Sequence, residues 1–131
     1  MKVKCLLVIE DSKRSILIQD MGDFIQLPSF EVTDKMLLKD QATTFLLSLG
    51  IGDVTETDLT LFSLEESMDD NQHTIYLAYK TQTRKRDYKM LKDTNYKFVS
   101  LKNLKSESDK FICKEEGIIA RLYILNPYAT L

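Results

Sequence analysis

Residues 24–51 read FIQLPSFEVTDKMLLKDQATTFLLSLGI and combine a strand-like segment with a helix. The segment 24–27 alternates weakly and stops at Pro28. Beyond it, apolar side chains recur at the spacing of one helical face, namely Leu38, Ala42, Phe45, Leu46 and Leu49. Thr33 or Asp34 can cap the start of this helix, and Gly50 suits the left-handed residue just past its end. The stretch therefore predicts a strand, a loop and a helix that stops at Gly50.

Strands are predicted on both sides of this stretch. Upstream, the apolar runs 2–9 and 15–19 predict a hairpin. Downstream, residues 59–64, 73–81 and 96–101 predict three more strands, with a loop or hairpin turn over 65–72. A second helix is predicted from Ser108 to Leu125, with a face made of Phe111, Ile112, Ile119, Leu122 and Tyr123. The order β-β-β-α-β-β-β-α predicts one domain, residues 1–131, of the α/β class, in which two main helices cover both faces of a mixed sheet.

The composition is that of a globular protein without an obligate anionic partner. The chain has 131 residues, of which 44% are hydrophobic and 29% charged, and its formal net charge is −2. DNA binding needs clustered positive charge, so we expect no DNA partner. No apolar run approaches the ~20 residues of a membrane span, and the first run is too short for a signal peptide. We therefore expect a cytoplasmic protein with no membrane partner.

Three segments carry a family resemblance when they are taken together and in order. They are Phe24-Ile25-Gln26-Leu27-Pro28, Leu49-Gly50-Ile51 and the run from Tyr96 to Leu104. In that order the segments resemble landmarks of the Nudix hydrolase family. The resemblance implies a Nudix-like α/β/α sandwich, and a ligand that is a nucleotide or a related diphosphate compound.

The resemblance breaks at the residues that would do the chemistry. The family pattern holds divalent metal with glutamates on one side of its helix, and the metal helps to create hydroxide from water. Counting back from Gly50, Leu47 and Ser48 stand where the family has two adjacent acids, and Thr43 and Thr44 stand where it has an arginine and a glutamate. Such side chains cannot replace carboxylates around Mg²⁺. We therefore expect no ordinary hydrolysis and no cofactor, with Mg²⁺ or Mn²⁺ relevant only if a non-standard metal site exists.

Other acidic residues are candidates for such a relocated site. Glu31 lies just before the helix that resembles the family's metal-binding helix. Glu65 lies at a strand end, and Glu115 falls near the inner side of the last helix. Each of the three is also consistent with a solvated surface acid, because charged residues are mostly exposed. The two cysteines, Cys5 and Cys113, form no CxxC motif, so the sequence predicts no zinc site.

Five residues are predicted to contact a ligand or a partner. Phe24 and Tyr79 can stack a base, Arg84 can grip a phosphate, and Pro28 lies in the motif that resembles the family's catalytic loop. Phe30 replaces a glycine of that loop and is a candidate anchor for a homodimer. Strand aromatics are equally typical of a core. Three functions stay open, namely a catalytically silent binding domain, a hydrolase with an unusual metal site, and a dimerisation module.

Overall fold

The computed structural model describes residues 1–84, 94–111 and 113–131. Within them one mixed sheet has seven strands: β1 (Lys2–Glu10), β2 (Ser15–Asp20), β3 (Ile25–Gln26), β4 (Ser29–Glu31), β5 (Thr60–Asp69), β6 (Gln72–Gln82) and β7 (Tyr96–Ser100). The helices are α1 (Leu38–Ser48), α2 (Leu101–Ser106) and α3 (Lys114–Leu125), with 3-10 turns at Glu56–Asp58 and Ser108–Lys110. None of these helices has the length and apolar character needed to span a bilayer.

The central strand β1 organises two core layers. The strand order is β3-β2-β1-β6-β5, with β4 also paired to β1 and β7 to β2. Only the β1–β6 pair is parallel among the described strands. Leu6 and Val8 face the core under α3, whereas Cys5, Leu7 and Ile9 face the core under α1. The predicted mixed sheet with helices on both faces is confirmed, and burial on both faces explains why β1 is almost continuously apolar.

The acidic segment 65–72, predicted as a loop or hairpin turn, is mostly strand around a short hairpin turn. Strand β5 continues to Asp69 and pairs with β6 down to Asp69 opposite Gln72. The turn consists of Asp70 and Asn71, whose φ angles of 46° and 65° are left-handed. Asp and Asn tolerate that region, and β5 is an edge strand, where charged side chains are common. The acids therefore extend the hairpin instead of ending it.

Helix α1 has the predicted buried face and the predicted end, but not the predicted cap. Ala42 and Leu46 are fully buried, and Gly50 has a φ of 81°. The N-cap is Leu37, with no side-chain cap bond. The preceding loop is held by the Gln41 amide, which accepts from the Thr33 N–H and donates to two backbone carbonyls. A long-range side chain thus replaces the local cap predicted at Thr33 or Asp34.

The helix predicted from Ser108 to Leu125 starts later than predicted, after a 3-10 turn at Ser108–Lys110, and a short helix that was not predicted precedes that turn. Chain residues from Leu101 form the short helix α2, capped by the Ser100 hydroxyl, which accepts from the Asn103 N–H. Helix α3 then begins only at Lys114. The prediction extended the strand through Leu101 because a serine cap is a weak signal inside an apolar run. Ile112, part of the predicted helix face, lies outside the described residues. Lys85 and Arg86, the two basic residues that follow Arg84, also lie outside them.

Candidate functional site

Four positions on α1, which the resemblance aligns with an arginine and three acids of the family, carry uncharged side chains. Thr44, Leu47 and Ser48 are exposed, and Thr43 is half-buried. The Thr43 and Ser48 hydroxyls donate to the helix's own carbonyls, at Asp40 and Phe45 respectively. Across the described part of the chain, no group of three or more His, Cys, Asp or Glu residues is placed to hold a metal ion. This face of α1 has no carboxylate at the four positions.

Phe30, which stands at a glycine position of the family loop, packs against α1. Its ring centroid lies 5.4 Å from that of Phe45, and both rings are half-buried at the edge of the core under α1. An aromatic ring thus fills space that a glycine leaves open. The role of Phe30 as a homodimer anchor stays a prediction, and part of its surface is already used within the domain.

A carboxylate pair that the sequence did not reveal lies beside α1. Glu56, in the 3-10 turn after the helix, contacts the carboxyl of Asp40, and this contact is the largest cause of a raised pKa at Glu56. A cavity of about 430 Å³ borders Glu56 and is lined by Thr43, Val54, Thr55, Glu56 and Thr57. The residues are far apart in sequence, so no spacing pattern pointed to them.

Removing one member of this pair should raise stability at neutral pH. A carboxyl whose pKa is raised on folding stabilises the fold below its unfolded pKa, and that contribution is lost as the pH rises. We therefore expect Glu56→Gln to melt at a higher temperature than the wild type at pH 7, with the difference shrinking towards pH 4. Thermal melts across this range test the pair. An unchanged difference at both pH values would contradict the Asp40–Glu56 contact.

The three candidate acids lie on the opposite face of the sheet from α1. Glu31 on β4 pairs with Lys4, Lys4 pairs with Tyr76, and Tyr76 pairs with Glu65 on β5. Cross-strand partners share a face, so these four side chains form one row on the α3 side. Burial raises the pKa of Tyr76, and the charges of Cys113 and Glu115 raise it further. The structure brings the candidates to one end of this face, but away from α1.

A buried carboxylate, Glu116, stands where sequence reasoning expected Glu115 to point inward. Glu116 is 5% exposed, and its Oε1 accepts the Leu27 N–H at 2.7 Å. Its Oε2 accepts from the Cys113 thiol at 3.3 Å. Burial raises the pKa of Glu116 and raises that of Cys113 to about 11. The pair joins α3 to the end of β3, and the thiol stays protonated at neutral pH.

The predicted ligand-contacting residues are dispersed. Phe24 is half-buried before β3, and Pro28 is buried with its carbonyl accepting the Leu7 N–H at 2.9 Å. Tyr79 is 6% exposed within the core under α1. Arg84 instead borders a cavity of about 550 Å³ where β1 and β6 end, together with Asp11, Ser12, Asp53, Asp58, Gln82 and Thr83.

The carboxylates of that cavity have structural roles. Asp11 accepts the N–H groups of Lys13 and Ser15 in the β1–β2 turn. Asp53 accepts from the Thr83 hydroxyl and the Arg84 N–H. The two Asp53 bonds fix the loop after α1 against the end of β6.

Comparison with known proteins places the architecture. No family model matches the sequence, and no curated protein matches it. A NUDIX hydrolase from Nitrosomonas europaea superposes with a TM-score of 0.73 at 11% identity, covering 99% of this chain and 93% of that one. The E. coli dihydroneopterin triphosphate pyrophosphohydrolase gives 0.71 at 14% identity and 95% coverage of both chains. The chain has the Nudix fold.

A third neighbour comes from a different context. The C-terminal domain of mouse MUTYH, solved in complex with human PCNA, superposes with a TM-score of 0.70 at 10% identity, over 100% of this chain and 93% of that chain. Identities this low establish the fold alone.

Proposed function

We propose that this chain is a Nudix-fold domain that binds a nucleotide or a related phosphorylated compound without metal-dependent hydrolysis. The observation that carries the proposal is the outer face of α1, where Thr44, Leu47 and Ser48 stand at positions that the resemblance aligns with the family's acids. Mg²⁺ is held in proteins by hard oxygen ligands, chiefly carboxylates. Hydrolysis of a phosphoanhydride by this route needs the bound metal to supply hydroxide and to stabilise developing charge. A domain without those ligands retains the fold and loses the reaction.

The ligand class is supported by the neighbours and by the chemistry beside α1. One neighbour is named for hydrolysing dihydroneopterin triphosphate, and another is a C. elegans Ap4A hydrolase in a binary complex, with a TM-score of 0.61 at 14% identity. Both names describe phosphorylated compounds with a planar ring. In this chain, Tyr96 and Phe98 are half-buried at the edge of the core under α1, where such a ring can stack.

Thermal melting against nucleotides, nucleotide sugars and dinucleotides tests the proposal, each with Mg²⁺, with Mn²⁺ or with EDTA. A ligand at 100 times its Kd adds about 2.7 kcal/mol of stability, so we expect a shift of several degrees that EDTA does not change. As a matched control, the double variant Leu47→Glu, Ser48→Glu returns two carboxylates to α1 and should gain Mn²⁺ binding. Metal-dependent release of phosphate or pyrophosphate by the wild type would overturn the proposal.

A hydrolase with a non-standard metal site is the second candidate, and the Asp40–Glu56 pair is the observation that favours it. The two carboxylates touch beside the cavity that Thr43 borders. A divalent cation between them would relieve their repulsion, although Mg²⁺ would need waters for the rest of its octahedral shell. If hydrolysis is detected, its loss in Asp40→Asn assigns it to this pair. Its loss in Glu31→Gln, Glu65→Gln or Glu115→Gln assigns it to the α3 side.

A further inference from the structure

A row of amide and aromatic side chains lies on the α1 side of the sheet, next to α1 itself. Gln19 on β2 pairs with Gln26 on β3 and with Tyr96 on β7. Phe98 pairs with Leu17, and Leu17, Tyr96 and Phe98 belong to the core under α1, which fixes the side on which the row lies. We call this the aromatic–amide surface, and it consists of Gln19, Gln26, Asn95, Tyr96 and Phe98.

The amides of this surface are ordered by one another. The Gln26 Nε2 donates to the Gln19 Oε1, and the Gln19 Nε2 donates to the Asn95 Oδ1 at 3.0 Å. The Asn95 Nδ2 in turn contacts the Met21 sulfur at 3.1 Å. The chain uses one proton of the Gln26 amide. Its other proton and its Oε1 have no hydrogen-bond partner among the described residues, so Gln26 presents an oriented donor beside an acceptor.

This arrangement has the chemistry that recognises a nucleobase. A glutamine amide forms two hydrogen bonds with a base edge that carries an adjacent donor and acceptor. Tyrosine and phenylalanine rings stack on the faces of unpaired bases. The surface contains no charged side chain, because Lys97 alternates to the other face of β7 and pairs with Asp20 at 2.8 Å. A neutral planar ring therefore suits it better than a phosphate group.

We propose that the aromatic–amide surface binds the base of a nucleotide, with Gln26 contacting the base edge and Tyr96 stacking on its face. The proposal rests on the proposed function for the class of ligand, but it does not depend on whether the ligand is hydrolysed. It deepens that function by assigning the specificity of the domain to residues outside α1.

The substitution Gln26→Glu tests whether Gln26 contacts the base edge. A carboxylate only accepts hydrogen bonds, so Glu in this place favours guanine, which offers two neighbouring donors, and disfavours adenine. We expect Gln26→Glu to change the ratio of the Kd values for AMP and GMP towards GMP by about tenfold, within the range that one bidentate contact provides. Calorimetric titration of wild type and variant measures the ratio. Gln72→Glu, an exposed Gln→Glu change in the β5–β6 turn, is the matched control and should leave the ratio unchanged.

Tyr96→Leu is the second variant, since it keeps an apolar side chain in the core but removes the stacking ring. It should weaken AMP binding at least fivefold and leave the affinity for ribose 5-phosphate unchanged. Nucleotide binding with an unaltered AMP to GMP ratio in Gln26→Glu, or with full affinity in Tyr96→Leu, would overturn the base site and leave the proposed function standing. Metal-dependent hydrolysis combined with the altered AMP to GMP ratio would overturn the proposed function and leave the base site standing. If neither AMP, GMP nor adenosine moved the side-chain amide NMR signals of Gln19 and Gln26, both would fail.

Discussion

Leu46→Ala should lower the free energy of unfolding by about 2–5 kcal/mol, because it removes buried methyl groups and leaves a cavity. Leu46 is fully buried in the core that α1 shares with Cys5, Leu7 and Tyr79. Each kcal/mol corresponds to roughly 2–8 °C in Tm for a domain of this size. Denaturant titration gives the loss directly. Ala42 and Leu46 are the two buried residues of α1. The truncation of Leu46 should therefore also loosen α1 itself.

The next residue along α1 supplies the control. Leu47 is 62% exposed and stands at one of the family's acid positions. Leu47→Ala removes the same atoms from an exposed site, so we expect a change within about 0.5 kcal/mol. Equal losses for Leu46→Ala and Leu47→Ala would mean that α1 packs in a different orientation. In that case other residues of α1 would face outward, and the proposed absence of hydrolysis would lose its support.

Glu116→Ala is the second substitution with a large expected effect. It removes the acceptor of the Leu27 N–H, and Leu27 is fully buried. A buried donor left without a partner costs about 1–3 kcal/mol, and the lost side-chain volume adds to this. Glu115→Ala, a change at the half-exposed neighbour, should have a much smaller effect. Comparable losses for the two variants would show that the inward residue of this turn is misassigned.

Glu116→Gln separates the hydrogen bond from the charge. The Gln carbonyl can still accept the Leu27 N–H, whereas the ionisable group is gone. Burial raises the pKa of Glu116 above its ordinary 4.5, so its contribution to stability is complete below that value and declines as the pH rises. We therefore expect the wild type to lose stability relative to Glu116→Gln between pH 4 and pH 7. A constant difference over that range would contradict a Glu116 carboxyl whose pKa is raised by burial.

Much of the fold followed from periodicity. The helix ending at Gly50, the β1–β2 hairpin and the mixed sheet were predicted because apolar spacing reports which side of each element is buried. The errors arose where distant residues decide a local structure. The Gln41 amide replaces a side-chain cap at the start of α1, and pairing with β6 keeps the acids after Leu64 in a strand. Neither effect leaves a signal in the residues nearby.

The features of the candidate site also fall into two groups, those that follow from the sequence and those that follow from the tertiary structure. The sequence by itself determined that Thr44, Leu47 and Ser48 occupy the positions where the resemblance places carboxylates, because this depends only on residue identity at a fixed spacing along one helix. Only the tertiary structure decided that Asp40 meets Glu56, that Glu116 is buried, and that Gln19 and Gln26 form a row with Tyr96. These contacts depend on strand register and on how the helices lie across the sheet, and pairs that are distant in the chain carry no periodicity of their own.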